Sequence, residues 1–314
     1  MGHAAIIFPG QGSQSVGMGR DVAASSERAR AIFDEAGELL GFNLSRLCFE
    51  GPAEKLEQTD IQQPAIFVTS VAIWEAFLEA GGRREQFSWA GGLSLGEYTA
   101  LHVAGAVGFA EALRLVRRRG QLMQEASVAS PSGMVSLIGA DEAAAQALCD
   151  RARGDEVLGP ANFNCPGQVV ISGSQGACDR AVESASQFGC RAVALTVAGA
   201  FHSPLMEPAA KGLWSVLQET DFTTPVMPVV ANVDAEKHEG AAAIREALRR
   251  QLTHPVLWQR CIERMIDEGV DRFYELGPGR VLTGLTRKIN REVSAINVGT
   301  ADAIAAATAE SSAG

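Results

Sequence analysis

The sequence predicts an α/β protein with a mostly parallel sheet and a smaller βαββαβ unit inserted into it. Three observations carry this. Short apolar runs alternate with helix-period segments along most of the 314 residues, the grammar of strands joined by helical crossovers. Between about residues 127 and 197 that grammar changes to strand, helix, two strands, helix, strand. The stretch WAGGLSLGEYTAL at 89–101 sets a lone Ser between two glycines, where an apolar run meets a helix-forming one. The length suits one large domain carrying a smaller one. The expected division is a discontinuous domain over 1–126 and 198–314 and a small domain over 127–197.

Residues 4–8 read as a buried strand that runs directly into Pro9-Gly10-Gln11-Gly12-Ser13-Gln14. This loop fails both phosphate-binding signatures. G-x-G-x-x-G needs Gly at 15, which is Ser, and a phosphate loop opening at Gly12 needs Lys at 18, which is Met. Two readings stay open: a turn that brings backbone amides to something anionic, with Gln11 at its apex, or a plain strand-to-helix connection. Residues 25–40 and 64–80 carry helical periodicity, and Gly81-Gly82 closes the second helix.

The Gly-x-Ser-x-Gly turn at 92–96 has the form of a nucleophile elbow, a sharp strand-to-helix bend that glycines make sterically feasible. Its Ser94 would stand at a helix N-terminus, where backbone N–H groups favour an oxyanion. The bare pattern is weak, since Gly and Ser are common in turns. A further helix is expected from 109 to about 126, beyond a break at 105–108. On it Arg119 shares an angular stripe with Leu115, Val116, Leu122 and Met123, while Arg114 and Arg118 fall on the polar side. A guanidinium in an apolar stripe needs an anionic partner. A structural ion pair, a snorkelling side chain that carries its charge to water, and a receptor for a substrate carboxylate are the open readings.

In the insertion, GMVSLIG is a strand, DEAAAQALCDRA a helix, EVLGPANFN and QVVISGS strands, SQGACDRAVESASQFG a helix and CRAVALTV a strand. That order is ferredoxin-like, with Asn164-Cys165-Pro166-Gly167 joining the central strands. Beyond it lies Gly199-Ala200-Phe201-His202-Ser203-Pro204, then MPVVANV as a strand, helices over 241–252 and 257–269, and RFYELGPG as a strand ending in a turn. VLTGLTRKI and SAINV complete the fold, and the Ala/Ser-rich tail from Ala301 is expected to fray.

Composition excludes several classes. A net charge of −10 argues against general nucleic-acid binding. No run reads as long and apolar enough to span a bilayer, and the N-terminus meets a Pro-Gly turn too early for a signal peptide. The cysteines at 48, 149, 165, 178, 190 and 261 form no C-x-x-C pair, so neither zinc nor a disulfide framework is indicated. A cytoplasmic, reduced and metal-free protein is expected.

A Ser nucleophile needs a base. His102 lies eight residues along the elbow helix, about 12 Å from Ser94 at 1.5 Å per residue, and is excluded. His3 and His238, the latter in the polar loop DAEKHEG, both read as solvated. His254 stays open. His202 is the best placed, in a turn after a strand-like run. No acid announces itself between Ser94 and His202, so a backbone carbonyl is the alternative orienting group.

Taken together, these residues resemble the malonyl-CoA:acyl-carrier-protein transacylases and the related acyltransferase domains of polyketide synthases. The resemblance runs along nearly the whole chain: FPGQGSQSVGMG at 8–19, GLSLGEYTA at 92–100, RGQLMQEA at 119–126, NFNCPGQVVISG at 162–173, GAFHSPLM at 199–206, RQL at 250–252 and ELGPGRVLTGLT at 275–286. It implies a hydrolase-like large domain and a ferredoxin-like small one, with the site between them. Ser94 is then the nucleophile, His202 the base and acid, and the Gln251 carbonyl the group that holds the imidazole. The N–H groups of Gln11 and Leu95 form the oxyanion hole, and Arg119 pairs with the malonyl carboxylate. Phe201 and Asn164 are carried over as substrate-binding, Phe201 crowding out an α-methyl group. Malonyl-CoA and holo acyl carrier protein are the implied substrates, with no cofactor, and a monomer is expected.

One position departs from the pattern: the residue before the nucleophile is Leu93, where the family usually has His. Arg119 is then left to orient the malonyl carboxylate alone. For an acidic carrier protein, the candidate docking residues are Arg249, Arg250, Arg260, Arg287, Lys288 and Arg291. An acyl-hydrolase of the same fold, a polyketide-pathway acyltransferase, a generic esterase and a non-catalytic scaffold are the competing readings.

Overall fold

The computed structural model describes residues 3–312. In chain order the strands are β1 (His3–Phe8), β2 (Phe87–Gly92), β3 (Ser132–Ile138), β4 (Leu158–Cys165), β5 (Gln168–Ser174), β6 (Arg191–Ala194), β7 (Val270–Leu276) and β8 (Ser294–Val298). They form two four-stranded sheets. One runs β2-β1-β7-β8 and is parallel throughout; the other runs β4-β5-β3-β6 and is antiparallel. The second has the strand order of a ferredoxin-like unit, so the α/β class expected from the sequence is the one observed.

The parallel sheet is buried on both faces. Ile6, Ile7 and Phe8 of β1 and Phe273 and Leu276 of β7 have no solvent exposure, as expected where helices cover a parallel sheet on each side. The largest of these helices, Thr59–Glu79, begins five residues earlier than periodicity suggested. Pro64 lies inside it instead of opening it. The N–H that Pro64 lacks would have bonded the carbonyl of Asp60; Arg117 Nη1 donates to that oxygen instead, at 2.9 Å. With a window of mean hydropathy 1.2, this helix is, contrary to expectation, long and apolar enough to cross a bilayer, but 89% of that window is buried inside the fold. It is a core helix.

Three further expectations need correction. MPVVANV does not form a strand. Its contact with the sheet is a bridge between Val229 and Ala90, with Ala90 N donating to Pro228 O and Val230 N to Ala90 O. The chain then turns away because Asn232 is drawn into hydrogen bonds with Gly92 O and Glu97. Nor does the tail fray where it is described. Ala301–Ser312 is a helix docked by Ala301 N donating to Asp21 Oδ2 and by buried Ile304 and Ala307. Finally, the turn after Asn164 leaves from an edge strand. β4 stands at the end of the second sheet, and its free edge is covered by Val256: Phe163 N donates to Val256 O, and Val256 N to Ala161 O, both at 2.9 Å.

Candidate active site

The bend after β2 is the point on which the site is built. A Cβ on Gly92 would lie 2.0 Å from the Gly96 carbonyl carbon, and a Cβ on Gly96 2.1 Å from Phe8 O. Only glycine fits at either place. Ser94 then takes φ 52° as the N-cap of the helix Leu95–Val103. This left-handed backbone is costly for a residue with a side chain and persists where its surroundings fix it. Asn232 supplies much of that fixing. Its Oδ1 accepts from Ser94 N at 2.6 Å, and its Nδ2 donates to Gly92 O at 2.8 Å.

Opposite Ser94 stands His202, also in the left-handed region at φ 58°. Its Nε2 is 2.8 Å from Ser94 Oγ, and its Nδ1 is 2.6 Å from the carbonyl of Gln251. A carbonyl oxygen only accepts, so Nδ1 carries the proton and Nε2 is left to accept from the Ser94 hydroxyl. Burial, reinforced by the neighbouring Arg119 cation and opposed by the Gln251 carbonyl, brings the His202 pKa down to about 4. The ring is therefore neutral, and a base, at neutral pH.

Arg119 is fully buried. Its Nη1 donates to Gln63 Oε1 at 2.6 Å, while Nη2 is 3.0 Å from both Ser94 Oγ and Gln251 Oε1. The guanidinium lies over the Tyr98 ring at 5.2 Å, and its buried Nε has no hydrogen-bond partner. Among the described residues no carboxylate pairs with it. Burial lowers its pKa, yet a guanidinium starts so high that it stays charged at neutral pH. Tyr98 is neutral, because burial pushes its hydroxyl up to about 12.

Leu95 opens the elbow helix, so its N–H belongs to the first turn, which has no acceptor within the helix. Gln11 lies in the loop after β1, which presses on the elbow: a Cβ on Gly10 would meet Leu93 O at 2.4 Å. The Gln11 side chain bonds Gln62 and Gln63, and so adjoins the cage around Arg119.

Other candidates lie outside this cluster. Phe201 is buried in the main core, next to His202 in sequence. Asn164 is buried on β4 with its Oδ1 unpartnered, and among the described residues it makes no hydrogen bond to Ser94, His202 or Arg119. Leu93 packs on the cluster containing Trp89 and Val230. His254 is exposed and bonded to its own turn at Arg250 O. Arg249, Arg250 and Arg260 are paired with Glu246, Asp234 and Glu142, and Arg287 donates to Ala295 O. Lys288 and Arg291 are exposed.

The sequence reading missed a second layer. His238, expected to be solvated, is buried against Glu97, with Nε2 2.9 Å from Glu97 Oε1 and both side chains 1% exposed. The polar loop around it folds back, His238 N donating to Val229 O. Glu97 Oε2 accepts from Asn232 N at 3.0 Å and from Gln251 Nε2 at 2.7 Å. Glu97 was marked only by its place one turn beyond Ser94 on a largely apolar helix. Gln63, Asn232 and His238 carried no local signal. Beside His202 a cavity of about 340 Å³ opens between β4 and the 202–204 turn, lined in part by Leu158, Pro160, Ser203 and Thr253.

Known proteins with this architecture share its sequence. The acyl transferase domain family matches residues 5–306. The malonyl CoA-acyl carrier protein transacylase of Salmonella typhimurium is 45% identical over 286 residues, 91% of this chain and 92% of that protein. The Bacillus subtilis protein of the same name is 43% identical over 300 residues, 95% and 94% of the two chains. A malonyl-transacylase solved in complex with a type II polyketide-synthase acyl-carrier protein superposes with a TM-score of 0.95 at 42% identity, covering 98% of this chain and 99% of that one. The malonyl CoA-acyl carrier protein transacylase of Coxiella burnetii gives 0.95 at 38%, covering 98% and 97%. Over nearly its full length, then, the chain belongs to the acyl transferase domain family.

Proposed function

We propose that the protein moves a malonyl group from malonyl-CoA to the phosphopantetheine thiol of acyl carrier protein through a malonyl ester on Ser94. The observation that carries this is Arg119: a buried cation 3.0 Å from the nucleophile, held by neutral partners. Burying a charge without a counter-charge is expensive. A site that bears this cost suits an acyl group that brings its own carboxylate. An acetyl or long-chain acyl group would leave the guanidinium unpaired and dry.

In the first half-reaction Ser94 Oγ attacks the thioester carbonyl while His202 Nε2 takes its proton. The oxyanion is received by the N–H groups of Gln11 and Leu95, and collapse of the intermediate breaks the C–S bond as His202 returns the proton to the departing CoA thiolate. In the second, the carrier thiol gives its proton to His202, attacks the malonyl ester, and Ser94 leaves with that proton. The two thioesters are similar in energy, so the site must exclude water more than it must drive the reaction. The cavity beside His202 is where an incoming thiol would meet the base. Phe201 disfavours an α-methyl substituent, and Asn164 contributes to substrate binding from β4. Exposed Lys288 and Arg291 are the docking cations for an acidic carrier. The chemistry asks for no metal or cofactor; the enzyme works as a cytoplasmic monomer.

Intact mass measured after mixing with malonyl-CoA, methylmalonyl-CoA or acetyl-CoA, beside a Ser94→Ala control, tests the reading. The expected result is a malonyl adduct that requires Ser94 and moves to holo carrier protein. An acetyl adduct discharged to water would replace it with a hydrolase.

A further inference from the structure

The amide of Gln251 faces two groups of opposite demand. Arg119 offers only N–H donors, and Glu97 offers only acceptor oxygens. In the structure Gln251 Oε1 accepts from Arg119 Nη2, and Nε2 donates to Glu97 Oε2 and to Ser94 O. Turned the other way, the amide would set donor against donor at Arg119 and acceptor against acceptor at Glu97. Glu97, with the Ser94 carbonyl on the same side and Arg119 on the other, therefore selects one orientation.

Glu97 is itself fixed. His238 Nε2 holds its Oε1, and Asn232 N, with Gln251 Nε2, holds its Oε2. Three donors thus hold the carboxylate facing away from Arg119. Gln251 stands between them as a neutral spacer, so Glu97 acts on Arg119 through space and through the amide but not by direct contact. Direct contact between Glu97 and Arg119 would form an internal ion pair that an acyl carboxylate would have to displace.

We infer that Glu97 and His238 are positioning residues for acyl selection: they fix which end of the Gln251 amide faces Arg119 and so keep the guanidinium free to pair with an acyl carboxylate. This rests on the malonyl reading given above. It separates two tasks that meet at Gln251, whose backbone carbonyl orients His202 while its side chain presents Arg119.

The test compares Ser94 acylation rates with malonyl-CoA and acetyl-CoA in the wild type, Glu97→Gln and His238→Phe, by intact mass, with melting temperatures recorded for each. Glu97→Gln keeps shape but replaces the charged acceptor of Gln251 Nε2 with a neutral one; His238→Phe keeps the carboxylate and frees its Oε1. Malonyl loading is expected to fall about tenfold or more, as for loss of one charge-directed hydrogen bond, and acetyl loading by less than about threefold. Acetyl loading reports an intact Ser94–His202 pair, and where Glu97→Gln fails to fold, His238→Phe decides. Equal loss of both acyl groups, or an unchanged malonyl preference, overturns the inference. A wild type with no malonyl preference would instead overturn the function on which it rests.

Discussion

Replacing Arg119 by Met separates the two things a buried guanidinium beside a nucleophile can do. Met keeps much of the length and the apolar stem but carries no charge. If the guanidinium pairs with the acyl carboxylate, its loss leaves that carboxylate buried and unpaired, at about 3–5 kcal/mol. At about 1.4 kcal/mol per factor of ten, malonyl kcat/KM should fall by about 10² to 10⁴. Folding should respond differently. The free enzyme loses a buried charge that no carboxylate neutralises, while the acceptor oxygens of Gln63 and Gln251 each lose a donor, about 1 kcal/mol apiece. The melting temperature should therefore stay within about 5 °C of the wild type. Acetyl loading of Ser94, which makes no demand on the cation, should change by less than about tenfold. Time courses of acylation by intact mass and a thermal melt give all three numbers. A parallel fall for both acyl groups, with a melt lowered well beyond that window, would refute the reasoning and make Arg119 a structural residue.

Two more perturbations address the neighbouring groups. His202 titrates at about 4, below the ordinary histidine value, so its base form persists as pH falls; malonyl acylation should survive at pH 5.5 and decline only towards 4. Removing the Arg119 cation takes away one cause of the depression and should move that acid limb upward, and a wild-type limb near 6.5 in the pH profile of kcat/KM would contradict this. Leu93→His restores a donor beside the nucleophile. Malonyl kcat/KM or selectivity over acetyl should rise by about threefold to tenfold, and unchanged values for both would show that Arg119 alone is enough.

The features legible in the sequence were those written in local pattern. A Gly-x-Ser-x-Gly bend needs only neighbouring residues to declare itself, and the βαββαβ order of the insertion is spelled out in sequence. His202 stood out as the best placed of five histidines, with His254 left open, and the absence of an acid made a backbone carbonyl the alternative orienting group. The second layer was not legible, because its bonds join residues far apart. Asn232 and Ser94 are 138 positions apart, and His238 and Glu97 are 141. DAEKHEG reads as a solvated loop because the partner that buries His238 lies on another element. MPVVANV failed as a strand for a related reason: its apolar pattern was right, but Asn232 is spent on the elbow instead of a ladder. At Pro64 the helix continues, and the carbonyl it orphans is taken by Arg117 from another helix.

The short ladder between β4 and Val256 bears on how cargo gets in and out. Domains separated by a substrate cleft often swing about a flexible joint, opening to exchange ligands and closing for chemistry. Here the two bodies are stitched by main-chain bonds at Ala161, Phe163 and Val256, five residues from the Gln251 carbonyl that steadies His202. Swinging them apart would tear that seam and disturb the base in the same movement. Any opening between β4 and the segment carrying Val256 would therefore have to break main-chain bonds only five residues from the group that steadies the base.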